Sequence, residues 1–266
     1  MGRLEVGGEA GYLNLLQEIL AEGSVQGDRT GVGTTAVFGA SLGFDLRGGK
    51  LPLLTTKRVP WKGTFHELTW FLNGHTTIAD LHPSVHPWWT PWADPVTGDL
   101  GPIYGAQYNR GGQFDRLLEQ LKTDPHSRRH VLSLWDAATV DECRLPPCHG
   151  TVIQFFVRGK ELHCVMYQRS ADMVIGVPVN IASYAMLTHM IAAYTGYEAG
   201  TLKIVLGNAH IYMNHHDAVA EQVTREIQEP PRLILKSVKH PAAYRVEDLE
   251  VVGYNPAASI KVPLAI

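Results

Sequence analysis

Cys148 lies between Pro146-Pro147 and His149-Gly150, at the mouth of the apolar run Thr151-Val152-Ile153-Gln154-Phe155-Phe156-Val157, which reads as a buried strand. The two prolines fix the local backbone and keep a helix from absorbing the turn, so the thiol is held at a defined strand entrance. A cysteine so placed is either a small buried hydrophobe or a nucleophile. Four arginines in loop-like settings, Arg29, Arg128, Arg129 and Arg169, could decide between these. Converging on the thiol, they would lower its pKa and bind an anionic substrate. Glu67 interrupts an otherwise apolar helical stripe and is either a solvated neighbour of that stripe or a buried acid with a shifted pKa.

These residues need elements to hold them. Leu13, Leu16, Ile19 and Leu20 predict a helix from Gly11 to Glu22, and Phe65, Leu68, Phe71 and Leu72 another from Trp61 to Asn73. Between them, Asp28-Arg29-Thr30-Gly31-Val32-Gly33 reads as a loop with free N–H groups suited to phosphate, or as a plain hairpin turn. Ala36 to Asp45 reads as a strand and Leu51 to Lys57 as a second extended segment. Leu81 to Tyr108, rich in Trp, Pro and Gly, reads as a long ordered loop without regular elements. Further on, the pattern predicts a helix over 114–122, strands over 131–135, 151–157, 162–167, 202–206 and 233–238, and an apolar helix over 180–194. The apolar tail, Lys261 to Ile266, is expected to dock on the body, since frayed tails are usually polar. With no repeat, linker or low-complexity tract, the 266 residues are expected to form a single α+β domain, residues 1–266, built on a large mixed sheet.

Composition narrows the function. A hydrophobic content of 45% with 18% charged residues supports a globular core, and a net charge of −3 argues against bulk nucleic-acid binding. Three cysteines, Cys143, Cys148 and Cys164, without a CxxC pair indicate neither a disulfide framework nor a zinc ribbon. The opening Met1-Gly2-Arg3-Leu4-Glu5-Val6 lacks the apolar core of a signal peptide, and no run is long enough to span a bilayer, so a cytoplasmic protein is expected.

Eight segments, in order along nearly the whole chain, resemble the folate-dependent thymidylate synthase family. They are Asp28-Arg29-Thr30-Gly31, Leu54-Thr55-Thr56-Lys57, Leu100-Gly101-Pro102-Ile103-Tyr104-Gly105, Ser127-Arg128-Arg129, Leu145-Pro146-Pro147-Cys148-His149, Tyr167-Gln168-Arg169-Ser170-Ala171-Asp172, Pro178-Val179-Asn180-Ile181-Ala182-Ser183-Tyr184 and His210-Ile211-Tyr212. The closing Pro263-Leu264-Ala265-Ile266 is similar as well. The resemblance implies a homodimer with its sheets packed back to back, and reductive methylation of dUMP by 5,10-methylenetetrahydrofolate as co-substrate, with no metal.

It also implies roles. Cys148 would add to pyrimidine C6, with His149, Glu67, Tyr104, Arg169 and Asn180 completing the catalytic set. Arg29, Gln168, Arg169 and Ser170, with Arg128 and Arg129 from the second copy, would hold the nucleotide phosphate side; Asn180 would read the base; His210 and Tyr212 would bind the ribose 3′-hydroxyl. Asp172 would serve both substrates. Trp89, Trp92, Leu145, Gly176, Val179 and Ala265 would line the folate site, with the tail to Ile266 closing it.

The sequence departs from the family pattern mainly on the folate side. Val179 replaces a phenylalanine, Trp88 a smaller aliphatic, and Thr90-Pro91 an acidic pair, while Tyr108-Asn109 replaces Trp-Arg, Asp136 an asparagine and Asn208 an aspartate. Such changes bear on whether hydride or water captures the methylene intermediate, so dUMP hydroxymethylation is the alternative. Asn180 speaks for uracil, since relatives acting on cytosine nucleotides carry aspartate there. A non-catalytic nucleotide- or RNA-binding paralogue is a third reading, opposed by the retained Cys148, Glu67 and Tyr104.

Overall fold

The computed structural model describes residues 7–147 and 150–265. In chain order it forms α1 (Gly8–Glu22), β1 (Ser24–Gln26), β2 (Thr34–Asp45), α2 (Trp61–Leu72), α3 (His86–Trp89), α4 (Tyr104–Asn109), α5 (Gln113–Thr123), β3 (Val131–Ser133), β4 (Val152–Arg158), β5 (Glu161–Asp172), α6 (Gly176–Thr195), β6 (Glu198–Tyr212), α7 (His216–Gln222), β7 (Arg232–Leu235) and β8 (Leu249–Val252). Six strands make one mixed sheet in the order β1-β2-β6-β5-β4-β3, and β7 and β8 form a small separate hairpin. Within the large sheet β5 and β6 run parallel and the other pairs are antiparallel. The expected α+β class and large mixed sheet are therefore present, flanked by helices around one apolar core.

α6 is buried along almost its whole length from Val177 to Ala192. It is apolar on every side because it packs on β5 and β6 as well as on α2 and α5. The sheet's other face is different. Val131, Val152, Phe156, Val165 and Tyr167 alternate with core residues, share one face of β3, β4 and β5, and stay exposed, Phe156 at 60%. Single exposed apolar residues are ordinary, but a contiguous sheet face of them marks a surface built to be covered. No helix among the described residues is long and apolar enough to cross a membrane.

Several elements differ from the sequence expectation. The region 81–108 is not uniformly irregular: α3 and α4 form inside it. α4 fits only because Gly105 has no side chain, since a Cβ there would stand 2.0 Å from the His75 carbonyl oxygen. Leu51 to Lys57 forms no strand; it is fastened instead by the carboxylate of Glu9, which accepts from the amides and hydroxyls of both Thr55 and Thr56 at 2.7–2.8 Å. β5 continues through Gln168 to Asp172 and β6 through His210 to Tyr212, well past their apolar stretches. β3 and β7 stop short of the ends expected for them, and β8 carries no strong alternation to announce it.

Candidate active site

The loop between β5 and α6 is the fixed point of the site. Asp172 ends β5, and its Oδ1 accepts from the backbone N–H of Val174 at 2.9 Å and of Ile175 at 3.2 Å, which starts α6 in a set direction. The Tyr12 hydroxyl donates to the Met173 carbonyl at 2.6 Å, and the Lys57 ammonium donates to that of Val174. One local anchor and two from distant segments thus position the first turn of α6, which carries Gly176, Val179 and Asn180.

That turn forms one wall of a cavity of about 560 Å³. Eight of the residues singled out from the sequence meet there: Glu67, Trp89, Trp92, Leu145, Asp172, Gly176, Val179 and Asn180. Trp88, whose presence was a departure, lines it beside them. So do Ile260, Val262 and Leu264, so the apolar tail docks as expected.

Glu67 resolves to the buried alternative. It is 6% exposed, and burial pushes its carboxyl up to about 7, even though the Trp89 indole N–H, donating at 2.7 Å, pulls the other way. A carboxyl so tuned exchanges protons near neutral pH and suits general acid–base work. Trp89 is held in turn by Trp70, Phe71 and Tyr104, with ring centroids 5.4, 5.7 and 6.2 Å away. The tryptophan expected to serve a folate thus also orients the acid. Asn180 is 3% exposed, and its amide nitrogen has no hydrogen-bond partner among the described residues. A buried amide donor left unpaired by the protein is costly, and it is suited to a ligand carbonyl.

Two charged cavity residues escaped the sequence reading as site residues, Lys57 and Arg58. Their signal was a Lys-Arg pair directly after a buried Leu-Leu-Thr-Thr run. Burial lowers the Lys57 ammonium to about 8, against the opposing pull of the Asp172 carboxylate. These cations give the apolar cavity one positively charged flank.

The nucleotide-side residues lie elsewhere. Strand alternation sorts the end of β5: Gln168 and Ser170 share a face with Asp172, while Arg169 points with Tyr167 to the exposed face. The register sets Ser170 opposite Asn208 and Asp172 opposite His210. His210 is 7% exposed, and its Nδ1 lies 2.9 Å from Asn208 Oδ1; burial lowers its pKa. Tyr212 packs edge-on against it at 5.3 Å. The Arg169 guanidinium lies 5.1 Å from the centre of the Trp135 ring, and its Nε donates to the Pro147 carbonyl at 3.3 Å. Cys148 and His149 lie outside the described residues, but this bond fastens Arg169 to the segment leading to them.

Arg29 lies 4.8 Å over the Trp92 ring, at the rim of the cavity. The backbone of its loop is not an anion cradle: Asp28 accepts from the N–H groups of Thr30 and Gly33, Thr30 Oγ1 accepts from that of Val32, and the Asp28 carbonyl from that of Gly31. The donors expected to grip phosphate are spent within the turn, leaving the guanidinium as the loop's cationic group. Arg128 and Arg129 are exposed before β3 and do not line the cavity, nor does Ala265. Tyr104 is buried behind Trp89, 4.8 Å from Phe71. The described residues contain no cluster of three or more metal-ligating side chains.

Against this geometry, a family model described as thymidylate synthase matches residues 10–266.

Proposed function

We propose that this chain, which belongs to the thymidylate synthase family, catalyses reductive methylation of dUMP by 5,10-methylenetetrahydrofolate, giving dTMP and dihydrofolate. The observation that carries the reading is the pairing, across one cavity, of a buried acid tuned near neutrality with a buried amide whose donor lacks a partner. A uracil ring offers groups that match both. Its O4 accepts from the Asn180 amide, its N3–H donates to the amide oxygen, and Glu67 manages the proton at O4 as charge builds there.

In this reading the Cys148 thiolate adds to C6, and the electron pair of the C5–C6 double bond moves towards O4. C5 then bonds to the one-carbon unit of the folate. Loss of the C5 proton, assisted by Tyr104, expels the folate nitrogen and leaves an exocyclic methylene. Hydride from the tetrahydrofolate reduces that methylene to methyl, the thiolate departs as the double bond reforms, and dihydrofolate results. The volume of the cavity suits a folate, with Trp88, Trp89 and Trp92 for the flat ring system and Lys57 and Arg58 for an anionic tail. Arg29, Arg169 and Ser170 take the nucleotide phosphate together with Arg128 and Arg129 of a second copy. The apolar outer face of β3, β4 and β5 supports such a homodimer, and Arg169 emerges on that same face.

Val179 gives dUMP hydroxymethylation its specific support, because it is partly exposed on the cavity wall where a larger side chain would exclude more water. Incubation with both substrates, with mass identification of the nucleotide and of the folate, decides. Methylated nucleotide with dihydrofolate is expected; a product heavier than this by one oxygen, with tetrahydrofolate released, would replace the synthase reading by the hydroxymethylase.

A further inference from the structure

The strap formed by residues 255–265 is held to the body by a small set of polar contacts. The Ala257 N–H donates to the Thr55 carbonyl at 2.7 Å, and the Arg225 guanidinium donates to the carbonyls of Thr56 at 2.8 Å and Ala258 at 2.6 Å. These secure the first half. The far half, which carries Val262 and Leu264 along the cavity, is met by His215, whose Nε2 lies 2.7 Å from the Pro263 carbonyl oxygen. A carbonyl only accepts, so Nε2 carries the proton and the ring is the donor. His215 is 0% exposed, and its Nδ1 has no partner among the described residues. Its hydrogen bonding is committed to the strap.

His215 closes the turn that follows β6. Its ring packs against Tyr212 at 5.5 Å, as Tyr212 packs against His210. We propose that His215 is a positioning residue, a latch that holds Pro263 and Leu264 over the cavity and ties the strap to the end of β6 where the ribose would bind. The inference rests on the functional reading above, since the latch would serve to seal that cavity against water. Should the strap lift, the Nε2–H would exchange the Pro263 carbonyl for water, so the bond favours the docked arrangement by the net worth of one hydrogen bond. His215 touches neither substrate in this scheme.

His215→Phe keeps the ring's bulk and removes the donor, whereas His215→Gln returns a side-chain N–H at similar reach. In the substrate-free protein, amide hydrogen exchange over residues 256–262 is expected to run about five- to tenfold faster in His215→Phe and to return towards wild type in His215→Gln. A chain ending at Val262 with His215 intact should show the same increase, and His215→Phe should add nothing to it. In turnover, KM for the folate should rise by a similar factor while KM for dUMP and kcat move less than about twofold. Unchanged exchange in His215→Phe, or a further increase in the shortened chain, would overturn the latch whatever reaction the enzyme performs. The expected exchange pattern without any turnover of dUMP would keep the latch and remove the functional reading instead.

Discussion

The two halves of the site are built by different means. The cavity half is fixed from within: Glu67 by Trp89, Trp89 by three aromatic rings, and the start of α6 by Asp172, Tyr12 and Lys57. The half proposed to take the anion is carried on exposed arginines, two of them laid on tryptophan rings and two at the edge of the sheet. Buried polar groups must be paired and oriented by their own chain, because the interior offers no water to do it. Exposed guanidiniums keep their charge and reach without such support. The difference predicts that cavity substitutions alter protonation and stability together, whereas substitutions of the exposed arginines alter binding and, at Arg169, catalysis, with little change in stability.

The largest effect is expected at Cys148. Cys148→Ser should lower turnover by more than about a thousandfold while dUMP binding stays within about threefold; calorimetric titration beside the turnover assay checks this, and retained activity would remove the nucleophile. Mixing Cys148→Ser with Arg128→Ala should restore activity that neither has alone, because one site of the mixed dimer then holds both native residues. No rescue would place Arg128 outside the site of a second copy.

Glu67→Gln sharpens the contrast within the cavity and should cost about 10²–10⁴ in kcat. It should also change the dependence of stability on pH. The folded-state pKa of Glu67 is raised to about 7 from 4.5, so its contribution is complete below about pH 4.5 and is lost as pH rises through 7. Wild type should therefore lose about 2.5 kcal/mol from this group between pH 5 and pH 8, and Glu67→Gln should lose none of it. Urea unfolding at the two pH values tests the sign. An Arg29→Ala protein should weaken dUMP binding and leave that pH dependence in place.

Next in size, Asn180→Asp should weaken dUMP and favour dCMP by about tenfold or more, measured as the ratio of the two dissociation constants. An unchanged ratio would mean that the base is read elsewhere. The smallest effect is expected for Trp89→Phe. It removes the hydrogen bond that lowers the Glu67 pKa, so the limb of the pH–rate profile near 7 should move upward, and a downward move would contradict the assignment.

The same contrast explains what was legible in the sequence. The core stripes of α1 and α2 and the apolar centre of α6 followed from periodicity, since burial alone sets their residue types. The ends of β5 and β6 did not. There the inward positions hold Ser170, Asp172, His210 and Tyr212, polar side chains in place of apolar ones, so apolar alternation stops while the strands go on. Glu67 was visible as an anomaly, but only packing could choose between its two readings. Lys57 and Arg58 stayed hidden because a charged pair in sequence looks like solvent-exposed surface; here the segment fastened by Glu9 buries Lys57 and leaves the exposed Arg58 on the cavity wall. The loop at Asp28 read as a phosphate cradle because its glycines were visible, whereas the use of its N–H groups by Asp28 and Thr30 was not.

The central claim is that Cys148 adds to C6 across the C5–C6 double bond of a uracil held between Asn180 and Glu67. Release of tritium from dUMP labelled at C5 tests it most directly. Wild type should release one tritium for each dihydrofolate formed, and Cys148→Ser should release none. Release that persists without the thiol, or product that forms with the label retained at C5, would contradict the account.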